Sequence, residues 1–362
     1  MGAGNGGCAA AADLTRRGFE VRLYNRTSER LRPIQEQGGI ELSGEAGDGL
    51  VKIAMVTDRL EEAVAGADLL LVTVPTSALT HYAAALAPLV TPEQTVMLNP
   101  GHMGGSLYFA AEVKRLAGKT GLKLCETTTL PYACRMQRPA AVRIFRISTN
   151  LLFAAFPSSR LDELYAVISP LFPQIKKART VMETGLQDLN AVEHPAQILC
   201  NAGWIEFTQG NYYFYYEGTT PAVARVIEAV DAERVALARA MDVPTKTFVD
   251  YFYDAGYTSR RGLESGRVYE AMQDSEANRW IKGPKNLDHR YVHEDVGWGL
   301  VPWMQLADRV NVAVPTMHAL TELASIVNGI DYRITGLTLE RMGLAGMDKA
   351  QLDNYLATGV AS

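Results

Sequence analysis

The sequence predicts a two-part protein, an α/β domain built on a doubly wound parallel sheet followed by an all-α domain. Three observations carry this expectation. A glycine-rich loop opens the chain, strand and helix patterns alternate as far as residue 171, and from about residue 181 the apolar pattern is helical. At 362 residues the chain is too long for one ordinary core, and a boundary within 176–184 divides it into residues 1–180 and 181–362.

The opening stretch Gly2-Ala3-Gly4-Asn5-Gly6-Gly7 is a G-x-G-x-x-G pattern. In a Rossmann-type fold the first glycine makes a tight turn and the second lets the backbone approach a pyrophosphate. The third lets the following helix pack closely, with the pyrophosphate over that helix's N-terminus. Residues 8–17 read as that helix, ending at Gly18, and 19–24 as a strand. A strand should also precede the loop, yet only Met1 does, so the first strand reads as truncated. The expectation is a misassigned start or a chain that holds its cofactor weakly.

Residues 28–37 form a polar helix stopped by Gly38-Gly39, and 40–42 with 51–56 form a hairpin over the glycine-rich turn 44–49. A short helix at 60–65 precedes the apolar strand 68–74, which reads as buried on both faces. A helix over 77–88, a strand at 95–98 broken by Asn99-Pro100-Gly101, segments 107–117 and 123–127, a strand pair near 140–157 and a helix over 161–171 complete this half. The second half reads as helices over 185–208, 221–241, 245–254, 268–272, 304–308 and 317–327. Its best start signal is Thr220-Pro221, a capping hydroxyl followed by proline at the first helical position. This plan places ligands at the C-terminal strand ends and substrate in a cleft between the two domains.

Composition limits the partners. A net charge of −5 argues against a nucleic-acid or anionic-membrane surface. The four cysteines form no C-x-x-C pair, which suits a reducing cytoplasm. No secretory leader is visible, and the most apolar stretch, 67–75, is too short to span a bilayer. Small molecules are the expected partners, and a homodimer is compatible with the chain.

The end of the second strand addresses cofactor choice. NAD-binding folds place an acidic residue about 20 positions past the glycines to hold the ribose 2′-hydroxyl. Here the uncharged Asn25 stands eighteen positions after Gly7, followed by Arg26, Thr27 and Ser28. An uncharged residue removes repulsion from a 2′-phosphate, and Arg26 can pair with that phosphate in a fork. NADP(H) is therefore preferred, with NAD(H) second; the bland alternative makes Arg26 a solvated helix-start residue. Pro75 and Asn99 end successive strands and can flank the ribose and nicotinamide, or serve only as turns.

In the helical half, Asn190 and His194 are four apart and share a helix face, while Pro195 predicts a kink at His194. A histidine there can move a proton near neutral pH, although that stretch alone favours a core histidine. Arg290 offers a fork for a carboxylate, and Asp295 can orient the imidazole; a surface ion-pair cluster is the alternative. His289 and His293 raise the question of metal, but no ligand spacing supports a site. The aromatic run 211–218, in which Tyr216 is the residue assigned to substrate, can wall a pocket, fill a core or form a dimer interface.

Taken together these stretches resemble the opine dehydrogenases, the octopine/nopaline dehydrogenase family, over nearly the whole chain. The carriers are the glycine loop, Leu98 to Gly101, Glu126-Thr127 with Cys134-Arg135, and N-A-V-x-H-P at 190–195. Tyr215 to Gly218 with Pro221, Asp231 to Arg234, Gly283-Pro284, and R-Y-x-x-E-D-V-x-x-G-L-V-P at 290–302 complete them. The resemblance implies an enzyme that reductively condenses an amino acid with an α-keto acid using NAD(P)H. It also implies that His194 is the catalytic histidine, Asp295 its partner and Arg290 the carboxylate-binding arginine, which overturns the core-histidine reading. Two alternatives stay open: a 2-hydroxy-acid or ketopantoate-type reductase of the same two-domain plan, and a nucleotide-binding protein without catalysis.

Overall fold

A computed structural model describes residues 1–361, which fall into two compact units. The first comprises residues 1–101, 109–180 and 356–359, and the second residues 102–108, 181–355 and 360–361.

In the first unit, strands β1 (Arg22–Tyr24), β2 (Ile40–Gly44), β3 (Gly49–Val51), β4 (Met55–Thr57), β5 (Leu69–Val72) and β6 (Thr95–Leu98) precede β7 (Lys123–Thr127). They are followed by β8 (Tyr132–Arg138), β9 (Ala141–Ile147), β10 (Leu151–Phe156) and β11 (Ile175–Lys177). A five-stranded sheet runs β11-β10-β7-β6-β5, parallel except where β10 meets β7. The parallel pair β1-β4 lies beyond β5, and Met1 and Gly2 bridge the two pieces. The Met1 amine donates to the Leu71 carbonyl and its own carbonyl accepts from the Thr73 N–H, while the Gly2 N–H donates to Tyr24. Every residue of β6 is buried, as expected of a sheet covered on both faces.

A second sheet, β3-β2-β9-β8, departs from the sequence reading. The expected strand 51–56 is divided: Val51 closes the hairpin with Ile40, while Met55–Thr57 leaves to pair with β1. The strand expected at 19–24 is ordered as a strand only over Arg22–Tyr24, the three residues in register with Met55–Thr57 of β4.

Helix α1 (Asn5–Arg16) begins inside the glycine loop and packs on β8, β2 and β9. Its run Cys8 to Ala12 is almost wholly buried, which small side chains permit at close helix–sheet approach. Helices α2 (Ser28–Gln37), α3 (Leu60–Val64), α4 (Thr76–Leu86), α5 (Gly105–Ala117) and α6 (Leu161–Ile168) complete the alternation.

The second unit is helical, from α7 (Val181–Leu186), α8 (Leu189–Cys200), α9 (Ala202–Thr208) and α10 (Pro221–Ala240) onward. The expected single helix over 185–208 is thus three. Asp188 caps α8 through the Asn190 N–H, and Asn201 ends it. Pro195 lies inside α8, which runs as one helix through His194 to Cys200. The Thr220 hydroxyl accepts from the Val223 N–H with Pro221 in the first turn, as the start signal predicts. Further on come α11 (Phe248–Asp254), α12 (Arg260–Ser265), α13 (Val268–Gln273), α14 (Arg290–His293), α15 (Val301–Arg309), α16 (Pro315–Asn328), α17 (Tyr332–Thr335) and α18 (Lys349–Thr358). A π-helical turn, Val296–Leu300, joins α14 to α15. Among the described residues no helix is long and apolar enough to cross a membrane.

Candidate active site

Helix α8 presents His194 to a wholly buried polar cluster. Its Nδ1 lies 2.7 Å from Oδ2 of Asp295 and its Nε2 2.8 Å from the hydroxyl of Tyr215. Tyr291 stacks on the imidazole with ring centroids 3.9 Å apart, fixing the ring plane. Both His194 and Asp295 are 3% exposed, so neither charge is stable there alone. Burial, with the nearby Arg290 charge adding, pulls the imidazole down to about 3, and burial pushes the Asp295 carboxyl well up. Gain and loss of a proton at His194 are therefore tied to Asp295. Burial also raises the Tyr215 phenol well above its ordinary range, keeping it a neutral hydroxyl.

The backbone that delivers Asp295 is unusual. In the π-helical turn the Leu300 N–H donates to the Asp295 carbonyl, a five-residue loop. Gly299 allows this turn to approach α8: a Cβ on it would stand 2.4 Å from the Cβ of Ala191. Gly299 thus serves to bring the turn after Asp295 against the helix that holds His194.

Arg290 opens α14 with its side chain half exposed and a long contact of 3.5 Å to Glu294, which leaves the fork accessible. Asn190 is half-buried one helical turn before His194. Tyr216 lies with its ring under the Arg279 guanidinium, 4.6 Å away, while the adjacent Tyr215 makes the histidine contact. The contact of Tyr215 with the imidazole was not anticipated, because nothing in one sequence fixes which tyrosine turns inward. Asp231 and Arg234 form a buried ion pair whose guanidinium also donates to the carbonyls of Leu186 and Lys246. That part of the conspicuous sequence is scaffold.

A second imidazole was not anticipated. His102 Nδ1 lies 3.0 Å from Asp188 Oδ2, and His102, Asp188 and Asp295 bring ligand-type atoms within 4.8 Å of one another. Burial lowers the His102 pKa, but the Asp188 hydrogen bond and charge, with Glu294 and Asp295, outweigh it and lift the value to about 9. The only signal in the sequence was its position, just past Asn99-Pro100-Gly101.

The glycine loop fits a dinucleotide. A Cβ on Gly7 would stand 1.8 Å from the Gly2 carbonyl oxygen, so only glycine closes the turn, whereas a Cβ on Gly4 would meet nothing within 4 Å. Gly4 precedes α1 without a side-chain cap, and Gly6 is buried against Thr73 and Leu130. Asn5 accepts from the Met136 N–H. Asn25 is 8% exposed; its carbonyl accepts from the Ala3 N–H and its amide donates to Thr27. Its place is taken up in bracing the loop. Arg26 and Thr27 are exposed, and Arg26 makes no ion pair among the described residues. Pro75 is exposed at the start of α4. Asn99 is buried, accepts from the Thr127 hydroxyl, and leaves its amide nitrogen without a partner.

Comparison with known proteins places the family and the fold. Residues 177–328 match the family described as NAD/NADP octopine/nopaline dehydrogenase, alpha-helical domain, and residues 1–100 match ketopantoate reductase PanE/ApbA. An opine dehydrogenase of Arthrobacter sp. (strain 1C) is 35% identical over 97% of this chain and 96% of its own. Octopine dehydrogenase of Pecten maximus is 24% identical over 92% and 91%. The structure of an octopine dehydrogenase with NADH and agmatine has the same fold, with a TM-score of 0.77, 19% identity and coverage of 100% and 97%. NADP+-bound yersinopine dehydrogenase superposes with a TM-score of 0.70, 19% identity and coverage of 98% and 96%. The chain belongs to the opine dehydrogenase family, NAD(P)-dependent enzymes that reductively condense an amino acid with an α-keto acid.

Proposed function

We propose that this opine dehydrogenase prefers NADPH and uses His194, Asp295 and Arg290 to join an amino acid to an α-keto acid. The observation that carries the reading is the division of labour at one imidazole. Nδ1 is engaged by Asp295 at 2.7 Å, and Nε2 turns to a neutral hydroxyl at 2.8 Å. Nε2 is then the nitrogen that exchanges a proton with the reacting amine, with Tyr215 holding its place until substrate arrives. Asp295 orients the ring and balances the charge as the proton arrives. Arg290 grips the keto acid's carboxylate, while Asn190 and Tyr216 border the substrate farther from the imidazole. Bound NADPH supplies the hydride to the imine carbon.

The glycine loop with Asn5 holds the pyrophosphate, and Asn25 keeps that loop in place. Arg26 and Thr27 take the 2′-phosphate, and Pro75 and Asn99 border the ribose and nicotinamide. Related structures hold NADH with L-arginine or pyruvate, which supports these substrate classes. Four free cysteines, three of them buried, accord with a cytoplasmic enzyme.

The test follows NADPH oxidation by the full chain with paired amino acids and keto acids. Oxidation that requires both partners is expected. Reduction of a keto acid alone, with no dependence on any amine, would favour the hydroxy-acid reductase reading that the match over residues 1–100 suggests.

A further inference from the structure

One buried group beside His194 has no place in the chemistry above. Glu193, the neighbour of His194 on α8, is 5% exposed, and its Oε2 has no hydrogen-bond partner. Its Oε1 lies 3.8 Å from His194 Nε2, the nitrogen turned away from Asp295. The charged groups acting on this carboxyl are acidic, Asp295 and Asp188, and Tyr215 lies close enough to feel it. Burial first, and then those two carboxylates, push the Glu193 carboxyl well up. A buried carboxyl with one oxygen unsatisfied costs stability. It gains a partner only if something enters, and among acidic neighbours the favoured visitor is a cation.

We propose that Glu193 recognises the nitrogen of the amine substrate, as an ammonium on arrival and as a protonated imine before reduction. This rests on the opine dehydrogenase reading, because a hydroxy-acid reductase presents no such cation. When an ammonium binds, the Glu193 carboxyl releases its proton to solvent and the resulting carboxylate accepts hydrogen bonds from the N–H groups. Its place beside Nε2 sets the substrate nitrogen next to the group that exchanges its proton. The same charge favours the cationic imine, which accepts hydride more readily than a neutral one. Glu193 thereby selects amines over neutral nucleophiles, while Arg290 answers for the keto acid.

The test compares wild type with Glu193→Gln and Glu193→Asp as full-length chains. The reaction is NADPH-dependent condensation of pyruvate with L-alanine, L-arginine or L-leucine. Retained NADPH binding reports that each variant folds. For Glu193→Gln the KM of the amine should rise tenfold or more while that of pyruvate stays within twofold, and Glu193→Asp should recover part of the loss. Should Glu193→Gln fail to fold, Glu193→Asp alone should raise the amine KM, because its carboxyl is withdrawn by one methylene. An unchanged amine KM, or equal rises for amine and pyruvate, overturns the proposal. If wild type condenses none of these pairs, the proposed function is what those pairs leave unsupported. Glu193 is then tested by calorimetric binding of ethylammonium chloride, where equal affinity in wild type and Glu193→Gln overturns it.

Discussion

Gly299 and Ala191 meet so closely that a single added carbon on the glycine would stand 2.4 Å from the alanine Cβ. The contact joins the π-helical turn after Asp295 to the helix that carries His194. Gly299→Ala should therefore overpack the site, costing about 1–3 kcal/mol, and should also lower turnover. Urea unfolding followed alongside kcat gives the answer. A variant as stable and as active as wild type would show that the turn has room to spare.

Much of this site was legible in the sequence. The 190–195 stretch alone reads as a core histidine, and it is the resemblance carried by N-A-V-x-H-P and R-Y-x-x-E-D-V that singles out His194, Arg290 and Asp295. Tyr215, Glu193 and His102 did not stand out. Each is defined by which way one side chain turns, and that depends on packing between segments distant in sequence. The second sheet was hidden for the same reason: Val51 and Met55 lie four residues apart yet join different sheets. The bond from the Ala3 N–H to Asn25 was not legible either, since it joins residues 22 apart in sequence.

The His194–Asp295 pair works as a unit. Asp295→Asn keeps the shape but cannot balance a proton on the imidazole, and turnover should fall by about 10²–10⁴-fold. His194→Ala should do at least as much, and the double variant little more than the worse single one. NADPH affinity, measured by fluorescence titration, should hold in all three. Additive losses would mean that the two residues act separately.

Tyr215 and Tyr216 are adjacent and make different contacts, so they can be separated. Tyr215→Phe removes the partner of Nε2 and should lower kcat/KM by roughly 2–10-fold, the worth of one ordinary hydrogen bond. Tyr216→Phe keeps the ring that lies under Arg279 and should change kcat/KM less. The reverse order would give Tyr216, not Tyr215, the larger part in turnover.

Arg26 is exposed on the first unit, while Asn25 is committed to the glycine loop. Arg26→Ala should weaken NADPH by roughly 10–100-fold, the value of about 1.5–3 kcal/mol for a hydrogen-bonded charge, and NADH far less. Direct titration with each cofactor decides it. Equal weakening of both would move the 2′-phosphate elsewhere.

His102 makes a prediction about stability rather than rate. Its folded-state pKa of about 9 lies above the ordinary 6.5, so the native state holds this proton more tightly than the unfolded chain. Protonation therefore stabilises the fold. The contribution is complete below pH 6.5 and fades as pH rises through about 9. Wild type should lose unfolding free energy across that window, and His102→Gln should start about 1.5–3 kcal/mol lower and lose less. Urea midpoints measured between pH 6 and pH 9.5 would reveal this; parallel curves for the two proteins would mean that His102 is not the group that titrates.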